Sequence, residues 1–233
     1  MLKRNPYMVA WWSAAFPGFG HYMLNQYWRG LLLTLSEVII NSLAHVNEAM
    51  VNSFCGHFGR ATSVLRPDWA VGYIAVYLFA IWDSYRQCLV QNKLALLGEA
   101  FEPPIRRVLL TPLEVQYIER KHPAAGLYYS FLFPGLGQLY NHRFGLAFYG
   151  IFWWWIYTHL SHFYPAVLEL LTGELRDSTA MLVPQWLLFM PSVVGGSMYH
   201  AYMTTIEMNE LFRKEQRQYL NERYGKSELD IFG

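Results

Sequence analysis

Apolar residues along this chain gather in three stretches, and the set of three then recurs. The first stretches are short, Tyr7 to Phe16 and Ala124 to Phe133, and each stops at a Pro-Gly-x-Gly sequence. Ten residues of α-helix rise about 15 Å, roughly half the hydrocarbon thickness of a bilayer. This segment is therefore predicted to be interfacial or re-entrant, not a span. The second stretches, Tyr27 to Val46 and Phe144 to Tyr164, are long enough to cross. So are the third, Trp69 to Val90 and Trp186 to Ile206. They follow Pro67 and Pro184, where a helix start tolerates a missing N–H.

The two sets stand 117 residues apart, and the offset holds without a gap. It aligns Asn5-Pro6 with His122-Pro123, Ser13 with Ser130, and His45 with His162. It also aligns Pro67-Asp68-Trp69 with Pro184-Gln185-Trp186, Tyr85 with Tyr202, and Asn92 with Asn209. An internal repeat is the strongest organising signal a sequence can carry. It divides the chain into a first repeat (1–98), a linker (99–122), a second repeat (123–212) and a charged tail (213–233). In the linker, Thr111-Pro112-Leu113-Glu114 has the spacing of a capping box with Pro at the first helical position. It predicts a short amphipathic helix to Lys121, with Leu113, Tyr117 and Ile118 on one side. The stretch from Glu207 to Arg223 is charged and helical in pattern. Linker and tail are both placed at or beyond the membrane surface.

Composition supports a membrane as the solvent. Apolar residues make up 54%, charged residues 15% and aromatics 18%, with nine Trp and seventeen Tyr. The mean hydropathy of +0.12 is modest, but Trp and Tyr favour the headgroup interface. A net charge of +1 without a dense basic run gives no reason to expect nucleic acid as a partner. Cys55 and Cys88 lie in different segments, so neither a zinc site nor a disulfide framework is expected. The start, Met1-Leu2-Lys3-Arg4 before an apolar run, has the look of a signal peptide. Pro17-Gly18 breaks that run, however, and the second copy repeats the pattern internally, so it reads as mature structure.

Basic residues set the orientation. Lys3, Arg4 and Arg29 precede the first span. Arg86, Lys93, Arg106, Arg107, Arg120 and Lys121 lie between the copies, and Arg213, Lys214, Arg217, Arg223 and Lys226 crowd the tail. The loops within the copies are poorer: Arg60 and Arg66 in one, Arg176 against Glu169, Glu174 and Asp177 in the other. Both termini and the linker are predicted to be cytoplasmic, at the plasma membrane. That demands an even number of crossings per copy, hence four spans with the copies in the same orientation.

The turn after the first stretch runs Pro17-Gly18-Phe19-Gly20-His21-Tyr22, then Asn25-Gln26-Tyr27-Trp28-Arg29-Gly30. Its counterpart is Pro134-Gly135-Leu136-Gly137-Gln138-Leu139-Tyr140-Asn141-His142-Arg143-Phe144-Gly145. These residues resemble the signature of the TM-two domain family: a Gly-x-Gly-(His/Gln)-x-Tyr turn, a short polar piece with Arg or Lys, then two membrane helices. The resemblance covers most of each copy. It departs in the loop between the spans, which is longer here, and at Ala147, which stands where the first copy has Gly30. It implies an all-α polytopic membrane protein with four transmembrane helices in two tandem parallel repeats. Each repeat begins with a short interfacial or re-entrant helix and a Pro-Gly-x-Gly turn. Members of that family mostly lack an established activity, so the resemblance implies fold more than function.

Pro17, Gly18, Gly20, Pro134, Gly135 and Gly137 are read as structural turns, since proline ends a helix and glycine opens backbone conformations closed to other residues. The other reading is a lipid-headgroup or anion contact by the turn amides with Arg29 or Arg143. Glu37, Asn41 and His45 fall on one face of the second stretch, where a carboxylate marks function or a buried partner. The second copy has Trp154, Thr158 and His162 in register, so the histidines recur and the carboxylate does not. His45 and His162 read either as groups at helix ends or as a pair facing each other across the repeat axis. His159, one helical turn before His162, has a spacing that suits a metal, but one His-x-x-His is weak. Asp83, in register with His200, is expected to pair with Arg29 or Arg86. No nucleophile elbow, phosphate loop or catalytic carboxylate pair occurs. The expectation is therefore no catalytic residue, no metal and no cofactor.

These readings converge on a non-enzymatic membrane scaffold or assembly factor acting through its linker and tail. Its partners would be the lipid bilayer and a membrane or cytoplasmic protein, with a homo-oligomer left open and nucleic acid excluded. The alternative is a small conduit or transporter subunit with a polar site around Glu37, His45 and His162. An enzyme acting on lipid stands third.

Overall fold

A computed structural model describes residues 3–100, 108–111 and 114–225. Of the residues weighed above, Met1, Leu2, Arg106, Arg107, Pro112, Leu113 and Lys226 lie outside the described set.

The molecule is built of helices, and the repeat is visible element by element. The first copy contains α1 (Pro6–Ala15), α2 (Phe19–Met23), α3 (Tyr27–Ala44), α4 (Val46–Phe54), α5 (Phe58–Val64) and α6 (Pro67–Ala100). The linker supplies β1 (Val108–Thr111) and β2 (Glu114–Tyr117). The second copy contains α7 (Pro123–Leu132), α8 (Leu136–Tyr140), α9 (Phe144–Leu160), α10 (Phe163–Thr172), α11 (Leu175–Met181), α12 (Pro184–Leu187) and α13 (Phe189–Tyr224). Starts of corresponding helices stand 117 residues apart from α1 and α7 through α5 and α11.

The backbone repeats more strictly than the side chains. Every positive φ among the described residues belongs to such a pair: Gly18 and Gly135, Asn25 and His142, His45 and His162, Gly56 and Gly173. Two tethers are also duplicated. Arg4 N–H donates to Asn92 Oδ1 (2.9 Å) and Asn92 Nδ2 donates back to Arg4 O (2.8 Å). Lys121 and Asn209 repeat this at 2.9 and 2.8 Å. Each tether fastens the entry of a short first helix to the last long helix of its copy.

Local chemistry explains most boundaries. Asn5 Oδ1 accepts the Tyr7 N–H and caps α1, and Pro6 occupies the first turn. Phe16 and Phe133 are extended, as a residue before proline tends to be, so α1 and α7 end there. In the last helix of the second copy, Pro191 cannot donate to Leu187 O, and the helix breaks at Leu188 between α12 and α13.

The stretches expected to span do not form single helices of spanning length and apolar character. Among the described residues no single helix is long and apolar enough to cross a membrane. Three bent pairs have the length and composition together: α3 with α4, bent 65°; α5 with α6, bent 90°; and α11 with the last helix of its copy, bent 82°. The loops predicted between the spans are themselves helical, α4–α5 and α10–α11. Each excursion returns to its start, since Arg66 N–H bonds Ala44 O and Val183 N–H bonds Ser161 O.

The linker corrects a second expectation. Among the described residues between Thr111 and Lys121 there is no amphipathic helix. β1 and β2 pair antiparallel, Thr111 opposite Glu114 and Val108 opposite Tyr117. Tertiary contacts override the capping-box pattern: Val115 N–H donates to His142 O (3.1 Å), and Tyr117 Oη meets His142 Nε2 (2.7 Å). Lys121 Nζ donates to Tyr140 O. The linker is thereby pinned to the second copy's turn. The charged stretch from Glu207 to Arg223, expected to be helical, is so, as an unbroken continuation of α13.

The copies share a core. Phe16 and Val38 from the first pack with Tyr157, Phe189, Met190 and Val193 from the second. Phe19 lies against Gly196, where a Cβ would stand 2.2 Å from its ring. Outward, Leu32, Ile39, Ile74, Leu78, Phe148 and Phe152 are all more than half exposed.

Candidate functional site

The polar stripe of α3 is the centre of a buried network that joins both copies. Glu37 is 4% exposed and Asn41 1%. Asn41 Nδ2 donates to Glu37 Oε1 (2.9 Å) and to Asn47 Oδ1 (3.0 Å). Tyr73 Oη, from α6, donates to the same Glu37 oxygen at 3.3 Å. Gln185, from the second copy, donates through Nε2 to Asn41 Oδ1 (2.9 Å). Its own Oε1 accepts the Glu48 N–H (3.1 Å), and its main-chain carbonyl accepts Asn47 Nδ2 (3.0 Å). Glu37 Oε2 is buried with no hydrogen-bond partner among the described residues.

His45 makes this closure possible without joining it. It adopts a left-handed conformation, φ 54°, at the bend between α3 and α4. That bend swings Asn47 back, so that its N–H reaches Asn41 Oδ1 at 3.2 Å. The His45 side chain points elsewhere, to Glu48 Oε2 (3.2 Å). His162 stands at the matching bend, φ 56°, and is exposed, with Nδ1 3.3 Å from Met181 O. Each histidine thus has its contact within its own copy, and the structure does not place them as a facing pair. Thr158, in register with Asn41, bonds its own helix at Trp154 O.

A second cluster surrounds Asp83, which is 4% exposed. His21 Nε2 lies 3.1 Å from Asp83 Oδ2, Arg29 3.3 Å from the same oxygen, and Arg86 3.3 Å from Oδ1. Gln87 adds a longer contact. Burial pushes the His21 imidazole below its ordinary range, while the hydrogen bond and charge of Asp83 work in the opposite direction. The second copy replaces this charge cluster by a neutral one, in which Gln138 Nε2 donates to Ser197 O (2.9 Å). His200, the register partner of Asp83, is buried there.

Arg143, weighed with Arg29 for an ion pair or a headgroup contact, is buried in the fold. It is 5% exposed, and its guanidinium donates to Asn25 Oδ1 (2.8 Å) and Tyr27 Oη, both in the first copy. It is an inter-copy tie. The turn residues divide their work. Gly18 and Gly135 have φ of 99° and 105°, and a Cβ on either would stand 2.6 Å from the carbonyl of Gly30 or Ala147. Gly20 and Gly137 lie within α2 and α8, where a Cβ would meet Ser13 and Val9 or Ser130 and Gly126 at 2.2–2.4 Å. Pro17 and Pro134 are fully buried beside them.

A small cavity of about 60 Å3 lies between the copies and is lined by Phe16, Tyr22, Thr34, Tyr149, Tyr157 and His200. Thr34 Oγ1 bridges Tyr22 Oη (2.9 Å) and Tyr149 Oη (2.5 Å) at its edge. Among the described residues no three His, Cys, Asp or Glu side chains converge as a metal would need. The site holds and positions hydrogen bonds. Sequence reading missed Asn47, Tyr73, Gln185 and His21. The signal available was register: Gln185 stands against an exposed Asp68, and His21 against Gln138. Compared with known proteins, the chain matches no family model, no curated protein and no solved structure.

Proposed function

We propose that this chain is an integral membrane protein of the TM-two type, present as two tandem repeats, and that it is a non-enzymatic scaffold or assembly factor. Exposed apolar faces on α3, α6 and α9 support the membrane setting, since such faces on a water-soluble bundle would be buried. One observation carries the choice of scaffold over conduit. Asn41, Asn47, Tyr73 and Gln185 close around Glu37, and the 60 Å3 cavity between the copies is lined by other residues. A conduit requires its carboxylate in a wetted path; a scaffold requires it capped. The surfaces left for a partner are the linker strands, with Val108 more than half exposed, and the distal part of α13. That helix of 36 residues is about 54 Å long, well beyond a hydrocarbon core of about 30 Å.

Photo-crosslinking of the full chain in native membranes tests this. A cross-linker at Val108 or Tyr219 should give one discrete protein adduct that a cross-linker at lipid-facing Phe152 does not. No adduct from either position overturns the scaffold reading. The conduit reading has one observation in its favour, the unpartnered Glu37 Oε2. Its test is ion or proton flux in proteoliposomes. Under the scaffold reading there is no flux, and Glu37→Gln folds as wild type because the amide oxygen still accepts from Asn41 and Tyr73. Flux abolished by a well-folded Glu37→Gln protein would put the conduit first.

A further inference from the structure

Between the entry of α1 and the middle of α13 lies another cavity, of about 160 Å3. Its wall carries three methionines, Met8, Met23 and Met203, and one histidine, His200. α1 supplies Met8, the end of α2 supplies Met23, and α13 supplies His200 and Met203, one helical turn apart on one face. Met23 is 5% exposed and His200 7%. A main-chain hydrogen bond with Tyr22 engages the His200 ring, while its Nδ1 is buried with no hydrogen-bond partner among the described residues. The bond therefore falls to Nε2, which carries the proton, and Nδ1 keeps the lone pair. The set occurs once: the register counterparts of Met8, Met23, His200 and Met203 are Ala125, Tyr140, Asp83 and Arg86.

A buried lone pair with no donor facing it calls for an explanation. A histidine whose other nitrogen donates to a main-chain carbonyl is oriented as metal-ligating histidines usually are. Methionine in a core ordinarily fills gaps, yet here three of them border a cavity. Thioether sulfur is soft and uncharged, and a thioether–imidazole set selects monovalent copper, whereas zinc takes thiolate, imidazole and carboxylate, and calcium and magnesium take oxygen. No three His, Cys, Asp or Glu converge among the described residues, so a hard or borderline ion finds no such set. At the mouth stand Lys3 and Arg4 with Glu207 and Glu210, and Arg4 is paired with Glu207 at 2.7 Å. The charges are matched two against two, and no net charge repels a monovalent cation. We propose that the cavity between α1, α2 and α13 binds one Cu(I) ion through His200 Nδ1 and the sulfurs of Met23 and Met203, with Met8 at the entrance. The site goes beyond the scaffold reading and does not depend on it.

The test uses the full chain purified in detergent, with Cu(I) supplied anaerobically and a coloured Cu(I) chelator as competitor. Wild type should hold one copper per chain against the chelator, and X-ray absorption at the copper edge should show sulfur and nitrogen neighbours together. The double variant Met23→Leu/Met203→Leu conserves volume, so it should fold and should lose the copper. Cys55→Ser/Cys88→Ala should retain it, which separates thioether from thiolate ligation. The methionine variant decides the matter alone if the cysteine variant does not fold. Wild type that yields all its copper to the chelator overturns the site. So does copper kept by the methionine variant or lost with the cysteines, which would mark an adventitious ion only. A coordination shell without nitrogen overturns the assignment to His200. Because the readout is metal binding in detergent, failure to bind copper leaves the scaffold reading standing, and failure to find a partner adduct leaves the copper site standing.

Discussion

Gly18 and Gly135 show how a two-residue motif sets a steric limit. Their φ values lie in the left-handed region, and each α-carbon sits against a carbonyl of α3 or α9. A side chain there is penalised twice, by backbone strain and by overlap. Gly18→Val and Gly135→Val should each cost about 3 kcal/mol or more and sharply reduce folded protein. Gly56→Val and Gly173→Val test the reasoning, because those residues share the positive φ but have open space around them. They should cost visibly less; equal losses at all four sites, measured by thermal melts in detergent, would remove overlap from the account. His21 yields a pH prediction. Burial holds its imidazole pKa below the unfolded value of 6.5, despite Asp83. The folded chain therefore binds fewer protons than the unfolded one below that value. Stability should be full above about pH 6.5 and decline as pH falls from there toward the folded pKa. His21→Gln, which places the second copy's residue at this position, should flatten the decline in melting temperature relative to wild type. An unchanged slope would show that other groups carry it.

Among the elements, the bends carry the most information. α3 ends at His45 and α9 at Ser161, and each copy then makes a helical excursion that closes by a main-chain bond to the helix it left. Apolar content alone joined Tyr27 through Val46 into one span, because hydropathy does not register a single left-handed residue. The matched excursions predict matched sidedness. Native Cys55 is exposed and Cys88 buried, so Cys55 is already a probe for the first excursion. Leu171→Cys in a Cys55→Ser background reports on the second, since Leu171 is 78% exposed. A membrane-impermeant maleimide should label both from outside the cell, and cysteines at either terminus only after permeabilisation. Opposite sidedness for the two excursions would sink the parallel-repeat arrangement.

At the scale of the molecule, duplication has been followed by divergence at the seam between the copies. The tethers at Asn92 and Asn209 are copied faithfully because each works within one repeat. Gln185 and Arg143 have no like counterparts, since each serves the asymmetric contact of one copy with the other; Glu37 joins that seam only through Asn41. Asn47→Ala and Gln185→Ala should each destabilise by about 1–3 kcal/mol by leaving buried partners unsatisfied. The double variant should cost less than the sum by about 1 kcal/mol, as residues in one network do. Strict additivity in a thermal-melt cycle would mean that the two residues do not act together.

How far the sequence reached follows from the range of the forces involved. It determined the two copies, their register, the short first helices and the Pro-Gly-x-Gly turns, because proline, glycine and apolar runs act over a few residues of chain. It also singled out Glu37, Asn41 and Asp83, since polar groups in apolar stretches must find partners. For Asp83 it offered Arg29 and Arg86, and both stand 3.3 Å from the carboxylate; it did not name His21, Tyr73 or Gln185. Gln185 reaches Asn41 across 144 positions and Arg143 reaches Asn25 across 118, and only the packing of one copy on the other brings them together. The linker belongs to the same class. Its local pattern favours a helix, yet β2 meets the His142 turn, and a hydrogen-bonding edge offered by the folded second copy outweighs a cap worth about 1 kcal/mol.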